Sequence, residues 1–564
     1  MLPTQVSYFS ELFTPAQIAV YIVLAAGCGV LIYFASIKFL LVFQQCGYHG
    51  KRYFKWLKSS ETPYLSRLML LCLLGFLFFC VLNVCFSPVL KTFFGDAGNS
   101  ISSYIGFFSL ILFVVVYINT ESSVNAKIPL KKTKRLVRLA ITYIILLTAI
   151  TFGFMVLLNY IAYLIKDEII AILRFSLLCG MPILSPYILF LAYGVNEPLE
   201  TLIRRHYIRG ATDKLNKADV LKIGITGSYG KTSVKEILKT LLSQKFRVLA
   251  TPESFNTPLG IALTVKNLDN TTDVFIAEMG ARYKGDIKEL TKIVKPQYGV
   301  ITGINSQHLE TFGNLENTKS TKYELFESLG KDGAGFFSSD NVYSKEMYDK
   351  FGGEKYLAGL NEPSFAHAEN IVTDRFGTKF DLVLGEEKPV ECSTVLLGKH
   401  SISNICLAAM VAYKAGMTPI EISQGINRLQ CVGHRLELVP NNKGIVLIDD
   451  SYNSNVDGIN AAMEVLDIFS GRKIVVTPGL VELGKEENVA NFNFGKTLAG
   501  HAEVVVIVGR HNAETLINGL TEGGMALENI KFGKNTKRGN DVLNEMLKEG
   551  DVVLFENDLP DNYN

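Results

Sequence analysis

No two of the nine cysteines stand in a CxxC pair, so the chain offers neither a zinc knuckle nor a dithiol redox centre. Six lie in the apolar front of the chain (Cys28, Cys46, Cys72, Cys80, Cys85, Cys179) and three behind it (Cys392, Cys406, Cys431). Scattered thiols of this kind read as buried and reduced, which fits a reducing cytoplasm. Acidic residues are scarce at the front. Residues 1–195 hold 6 Asp+Glu against 15 Lys+Arg, leaving 48 acidic against 41 basic for the remainder. A mildly acidic remainder argues against nucleic acid as a partner, because that needs a basic face. The sequence also lacks internal repeats, low-complexity tracts and a GxGxxG fingerprint. Its N-terminus does not read as a signal peptide, since there is no basic start and Glu11 precedes the first apolar run.

Long apolar runs are abundant. Five stretches, approximately Gln17–Ile37, Leu68–Phe86, Tyr104–Ile118, Leu139–Leu164 and Ile169–Ala192, approach or reach the length of a bilayer span, which is about 20 residues. The expectation is an α-helical transmembrane bundle of about five spans over residues 1–195, followed by a linker at 196–220. Lysines and arginines gather in alternate loops: Lys51, Arg52, Lys55, Lys58 and Arg67, then Lys127, Lys131, Lys132, Lys134, Arg135 and Arg138, then Arg204, Arg205 and Arg209. The positive-inside bias places the N-terminus outside and the later part of the chain in the cytoplasm, as a multi-pass protein of the cytoplasmic membrane. Gln44–Lys58 mixes aromatic and basic residues and reads as an interfacial helix on the lipid bilayer. Arg174, inside the fifth run, either snorkels or marks a headgroup contact. Pro182 and Pro186 predict a kink there.

From Leu221 the texture changes to short β runs alternating with helical stretches, the pattern of an α/β fold with a largely parallel sheet. A first α/β domain is expected over 221–438 and a second, Rossmann-like in rhythm, over 439–564. In "TGSYGKTS", Gly227 and Gly230 allow a tight turn that aims backbone amides, with the Ser228 and Ser233 positions beside them, at phosphate oxygens. Lys231 can reach the terminal phosphates and Thr232 can offer a hydroxyl to Mg²⁺ at a helix N-terminus. The strict P-loop pattern is missed, because Ile225 stands where its first glycine belongs. Glu278 ends the strand "DVFIAEMG", and an acid there is either a Mg²⁺ holder or a surface carboxylate. His308 follows another strand in the same way, and a lone histidine is commonly structural.

"TGSYGKTS", "ESFNTPLGI", "IAEMGARYKGDI", "NSQHLETFGNLENTKSTKYELFE", "GKHSISN" and "IDDSYNSN" follow one another in the order of the Mur ligases, which the chain resembles from about Leu221 onward. It is most similar to the branch that adds D-alanyl-D-alanine to a UDP-N-acetylmuramoyl-tripeptide. The resemblance implies an ATP-dependent, ADP-forming amide ligase that works through an acyl phosphate. It also implies roles: Lys231 and the loop amides on the ATP phosphates, Thr232 and Glu278 on one Mg²⁺, His308 on a second, Lys322 as the lysine carbamylated in many members, Asn404 on the adenine, Arg435 on the γ-phosphate and Asp450 on the ribose. Two positions depart from the family: Ser401 stands in place of the usual asparagine, and His434 in place of the glycine before the arginine. The amine donor is expected to be an amino acid or peptide. Because the apolar region occupies the place of the family's UDP-sugar domain, the carboxylate acceptor is either a lipid-linked glycan or a soluble precursor near which the spans tether the enzyme. A membrane transporter or sensor with a non-catalytic ligase-like domain is the alternative from another class. A folylpolyglutamate-synthase-like ligase is a further alternative with the same chemistry.

Overall fold

The computed structural model describes residues 14–58, 64–95, 112, 130–165, 180–305, 309–360, 364–452, 456–481 and 483–557. The chain divides into two compact units, Met1–Ile203 and Arg204–Asn564.

The described part of the first unit is helical: α1 (Pro15–Ala35), α2 (Ile37–Gln45), α3 (Gly50–Lys58), α4 (Tyr64–Phe94), α5 (Lys134–Ile165) and the first part of α6 (Met181–Lys217). Uncharged α1 packs along α5, with Ala25, Cys28 and Ile32 in one core with Tyr143 and Leu147. Gly29 permits the close approach, because a Cβ there would lie 2.7 Å from Thr148 Oγ1. In α3, Tyr53, Trp56 and Leu57 are buried while Lys51, Lys55 and Lys58 are exposed, so this short helix is amphipathic.

Among the described residues two helical segments are long and apolar enough to cross a membrane, Ile18–Ala35 and Lys134–Ile161, by length and composition. The other three expected stretches fall wholly or partly outside the described residues. The stretch 104–118 lies outside the described residues apart from Leu112, as does 169–179 with Arg174. The stretch 68–86 lies within α4, several side chains of which are also outside them. The remainder of the last stretch begins α6, which turns polar at Asn196 and Glu197 and continues as helix through Lys217 with Pro186 and Pro198 inside it.

The second unit holds two sheets. The larger comprises β1 (Leu221–Thr226), β2 (Val248–Ala250), β3 (Val274–Glu278), β4 (Tyr298–Ile301), β5 (Ala334–Ser338), β6 (Glu354–Ala358), β7 (Ala366–Asp374), β8 (Gly377–Leu384) and β9 (Val390–Thr394), in the order β2-β3-β1-β4-β5-β6-β7-β8-β9. Neighbours from β2 to β7 are parallel, and β7, β8 and β9 form an antiparallel meander at one edge. β3 and β5 are buried at every position, as parallel strands covered on both faces must be. From β1 the chain enters α7 (Lys231–Leu242), passes to β2 and β3 on one side and then to β4 on the other. β1 is thus a topological switch point, where α/β sheets open a ligand crevice at their carboxyl ends. α8 (Leu315–Glu327) and α9 (Lys399–Lys414) deliver further side chains to that end.

The smaller sheet comprises β10 (Glu437–Leu438), β11 (Val446–Asp450), β12 (Lys473–Thr477), β13 (Val504–Val508), β14 (Ile530–Gly533) and β15 (Val552–Glu556), in the order β10-β11-β15-β12-β13-β14. Only the β10 edge is antiparallel. Insertion of β15 between β11 and β12 sets Asp450 beside Glu556 in register.

Candidate active site

The loop after β1 is shaped by two glycines. At Gly227, with φ +155°, a Cβ would fall 2.0 Å from Thr302 Oγ1, so only glycine fits. Gly230 caps α7 in the left-handed region, φ 73°, and a Cβ there would lie 3.1 Å from Asn404 Oδ1. The loop is tied to the strand end beside it, with Ser228 N–H donating to Gly303 O at 2.6 Å. Thr302 Oγ1 donates to the Tyr229 carbonyl as well.

Two lysines converge on one carbonyl. Lys231 Nζ donates to Gly227 O at 2.8 Å and to Ser228 O at 3.0 Å, and Lys322 Nζ, from α8, donates to the same Gly227 O at 2.8 Å. Desolvation pulls Lys231 down to about 8, against the opposing pull of Glu278, while the Arg435 charge adds to the fall. Burial, together with the Lys231 charge, holds Lys322 well below the ordinary lysine range. Two neighbouring cations whose acceptors are backbone carbonyls form a site built for an anion.

Glu278, buried at the end of β3, faces the same loop. Its Oε2 accepts from Thr232 Oγ1 at 3.0 Å and from Lys235 Nζ at 3.3 Å, and its Oε1 accepts from Asn256 Nδ2 at 3.2 Å. The Thr232 hydroxyl and the Glu278 carboxylate are hard oxygen donors of the type that holds Mg²⁺. His308 lies outside the described residues.

Gly230, Thr232 and Ser233 line a cleft of about 1090 Å³, which Asn404, Arg435 and Asp450 reach from elsewhere in the chain. The Arg435 guanidinium lies 4.8 Å over the Tyr452 ring. Burial lifts the Asp450 carboxyl to about 6, although Arg435, the Leu436 N–H and a hydrogen bond with Glu556 oppose the rise. His434 has φ +61° and Leu436 φ +46°, so Arg435 sits between two left-handed residues. That conformation is the physical reason a glycine suits position 434. Here the histidine backbone adopts it, and its Nδ1 lies 2.7 Å from Asp449 Oδ2.

Residues outside the motif roles also shape this site. His400, in the quoted "GKHSISN", is pushed down to about 4 by burial, and among the described residues its Nδ1 has no hydrogen-bond partner. The substituted Ser401 sits 3.2 Å from His400 Nε2 through its hydroxyl. Asp340, after β5, accepts from Ser403 Oγ at 2.5 Å and from the Leu360 N–H at 2.8 Å. Ser403 adjoins Asn404 on α9, so Asp340 anchors the start of that helix. Lys235 carried a signal, because i+4 from Lys231 is the same helix face.

Family models match at two places: the Mur ligase middle domain over residues 225–412, and the Mur ligase glutamate ligase domain over 434–556. The chain belongs to the Mur ligase family. Among its relatives, the UDP-N-acetylmuramoyl-tripeptide–D-alanyl-D-alanine ligase of Buchnera aphidicola is 33% identical over 49% of this chain and 60% of the relative. The enzyme of that name from Escherichia coli is 30% identical over 51% of this chain and 65% of the relative. This Mur ligase chain thus spans 60–65% of the length of those two relatives. Among solved structures, MurF from Acinetobacter baumannii has a TM-score of 0.58 at 23% identity, covering 63% of this chain and 77% of that one. MurF from Thermotoga maritima in complex with ADP has a TM-score of 0.56 at 24% identity, covering 63% and 80%. These likenesses establish the fold.

Proposed function

We propose that this chain is an ATP-dependent ligase that joins an amine to a carboxylate, releases ADP and phosphate, and builds a cell-envelope precursor at the cytoplasmic membrane. The observation that carries the reading is the convergence of Lys231 and Lys322 on Gly227 O, with Thr232 and Glu278 alongside. The loop fits a polyphosphate, because its glycines leave the backbone bare where a Cβ would collide and two cations already crowd it.

The roles follow from the chemistry. A carboxylate is a poor electrophile, so transfer of the γ-phosphoryl group of ATP to it, with departure of ADP, gives an acyl phosphate. The amine attacks the acyl carbon, phosphate leaves and an amide remains. Lys231 and Arg435 bind and steady the phosphates, Asn404 and Asp450 hold the nucleoside, and Gly227, Ser228, Gly230, Thr232 and Ser233 shape the loop. Thr232 and Glu278 would hold Mg²⁺, with His308 on a second ion, and the metal would supply positive charge that offsets the repulsion between the carboxylate and the triphosphate. Lys322 is the candidate for carbamylation, since its lowered affinity for protons favours the neutral, nucleophilic amine. Addition of the neutral amine to CO₂ forms an N–C bond with loss of a proton to solvent, and the resulting carbamate would be an anion able to help position a metal.

The relatives' names point to D-alanyl-D-alanine as the amine and a UDP-muramoyl-tripeptide as the carboxylate. Membrane association is supported by the two candidate spans and by an exposed apolar stripe on α6, formed by Leu184, Tyr187, Leu191, Val195, Leu199 and Leu202. Among the described residues before β1 there is helix and no strand, so the UDP-sugar domain of relatives has no counterpart there. This favours a lipid-linked acceptor presented at the bilayer, with the N-terminus outside and residues 221–438 and 439–564 acting in the cytoplasm. The test is ADP release by the full chain in detergent, given D-alanyl-D-alanine and either the UDP-linked or a lipid-linked muramoyl-tripeptide. Efficient turnover of the UDP-linked acceptor alone would remove the lipid-linked reading. Nucleotide binding without acceptor-dependent ADP release would favour the transporter or sensor.

A further inference from the structure

Lys235 is fully buried one helical turn beyond the phosphate-loop lysine, a rare place for an ammonium. Its Nζ donates to the Glu253 carbonyl and lies 3.3 Å from both Glu278 Oε2 and Glu236 Oε1. Glu236 is the more exposed carboxylate, and it also pairs with Lys239. Glu278 is only 2% exposed at its side chain, so the Lys235–Glu278 contact is a desolvated ion pair inside the proposed metal site.

An ionised carboxylate offers about four lone-pair directions. Thr232 and Lys235 fill two on Oε2 and Asn256 fills one on Oε1. One direction is left for a further ligand, and the carboxylate cannot turn without breaking a hydrogen bond. The charge count is equally restrictive. Lys235 stands against both Glu278 and Glu236, and Lys231 is close enough to feel Glu278, so two ammonium groups face two carboxylates. The nucleotide-free loop thus has no net negative charge to attract a divalent cation.

We infer that Lys235 is a positioning residue that fixes the Glu278 carboxylate and cancels its charge, so that a divalent cation binds only together with the nucleotide's phosphates. The inference rests on the ATP-site reading above. It makes metal entry dependent on nucleotide and keeps the empty site from being held shut by a tightly bound ion. The side chain acts through Glu278.

The test uses the full chain in detergent. Mn²⁺ binding without nucleotide is followed by electron paramagnetic resonance, and binding of a fluorescent ATP analogue by anisotropy across a Mg²⁺ titration. In Lys235→Gln the nucleotide-free protein should bind Mn²⁺ at least about tenfold more tightly than wild type, because one unit charge beside the site is gone. Its analogue binding should need correspondingly less Mg²⁺. Lys235→Arg should restore wild-type behaviour in both assays. Lys235→Met, which fills the volume without charge, is the second variant. If either neutral variant is destabilised, Mn²⁺ should raise its melting temperature while leaving that of wild type unmoved. Wild-type Mn²⁺ affinity in both neutral variants, with the analogue still bound by wild type, would overturn the inference. Failure of wild type to bind the analogue would instead overturn the ATP-site reading, and this inference with it.

Discussion

The two sheets of the second unit share an architecture and make opposite electrostatic choices. At the carboxyl end of the larger sheet, cations dominate: Lys231 and Lys322 meet at one carbonyl, and Lys235 neutralises the nearby carboxylate. At the carboxyl end of the smaller sheet, Asp450 and the fully buried Glu556 stand side by side on neighbouring strands. Parallel sheets present their strand ends as a crevice whatever the sequence. The charge at those ends then decides what each can hold. Ammonium groups suit phosphates, and carboxyls that accept hydrogen bonds suit hydroxyl groups such as those of a sugar. Arg435 is the exception on the smaller side, a cation beside Asp450 that also lowers the affinity of Lys231 for protons.

The largest expected effect comes from the cationic side. Lys322→Ala should cut acceptor-dependent ADP release at least about 100-fold, the scale for losing a group that stabilises transferring charge. Retained circular dichroism would separate this from unfolding, and near-normal turnover would break the contrast between the sheets. On the acidic side, Asp450→Asn should weaken nucleotide binding about tenfold in an anisotropy titration. The same variant carries a pH signature. The folded Asp450 carboxyl keeps its proton up to about 6, above the ordinary 3.8, so the folded protein holds a proton that the unfolded chain has lost. Stability should fall as pH rises from 3.8 towards about 6. Melting curves of Asp450→Asn should lose that slope, and an unchanged slope would show that Asp450 is not the titrating group. The smallest effect belongs to the segment joining the sheets. His434→Gly relieves a left-handed histidine and loses its contact with Asp449, two terms of about 1 kcal/mol that nearly cancel. The melting temperature should scarcely move, and a large drop would make the His434–Asp449 pair a true support of Arg435.

The α/β character was legible because parallel strands buried on both faces read as continuous apolar runs, and β3 lies where "DVFIAEMG" suggested. The meander β7–β9 was not. Its edge strands mix buried and exposed positions, and β7 is interrupted by a register shift between Glu369 and Val372. The phosphate loop was readable from glycine spacing. Asn256 and Asp340 were not, and the spacing of Lys235 from Lys231 showed only a shared helix face, because their importance lies in which carboxylate, hydroxyl or amide they meet across the fold.

By itself the sequence determined the periodicities, the loop glycines and the order of the motifs, all of which depend on neighbours along the chain. It also placed Lys231 and Lys322 as candidates, 91 positions apart. Only the tertiary structure decided that both share Gly227 O, that Lys235 cancels Glu278, and that Asp450 lies against Glu556. Those pairings depend on strand order, and strand order arises from packing helices across a sheet, which no local spacing encodes.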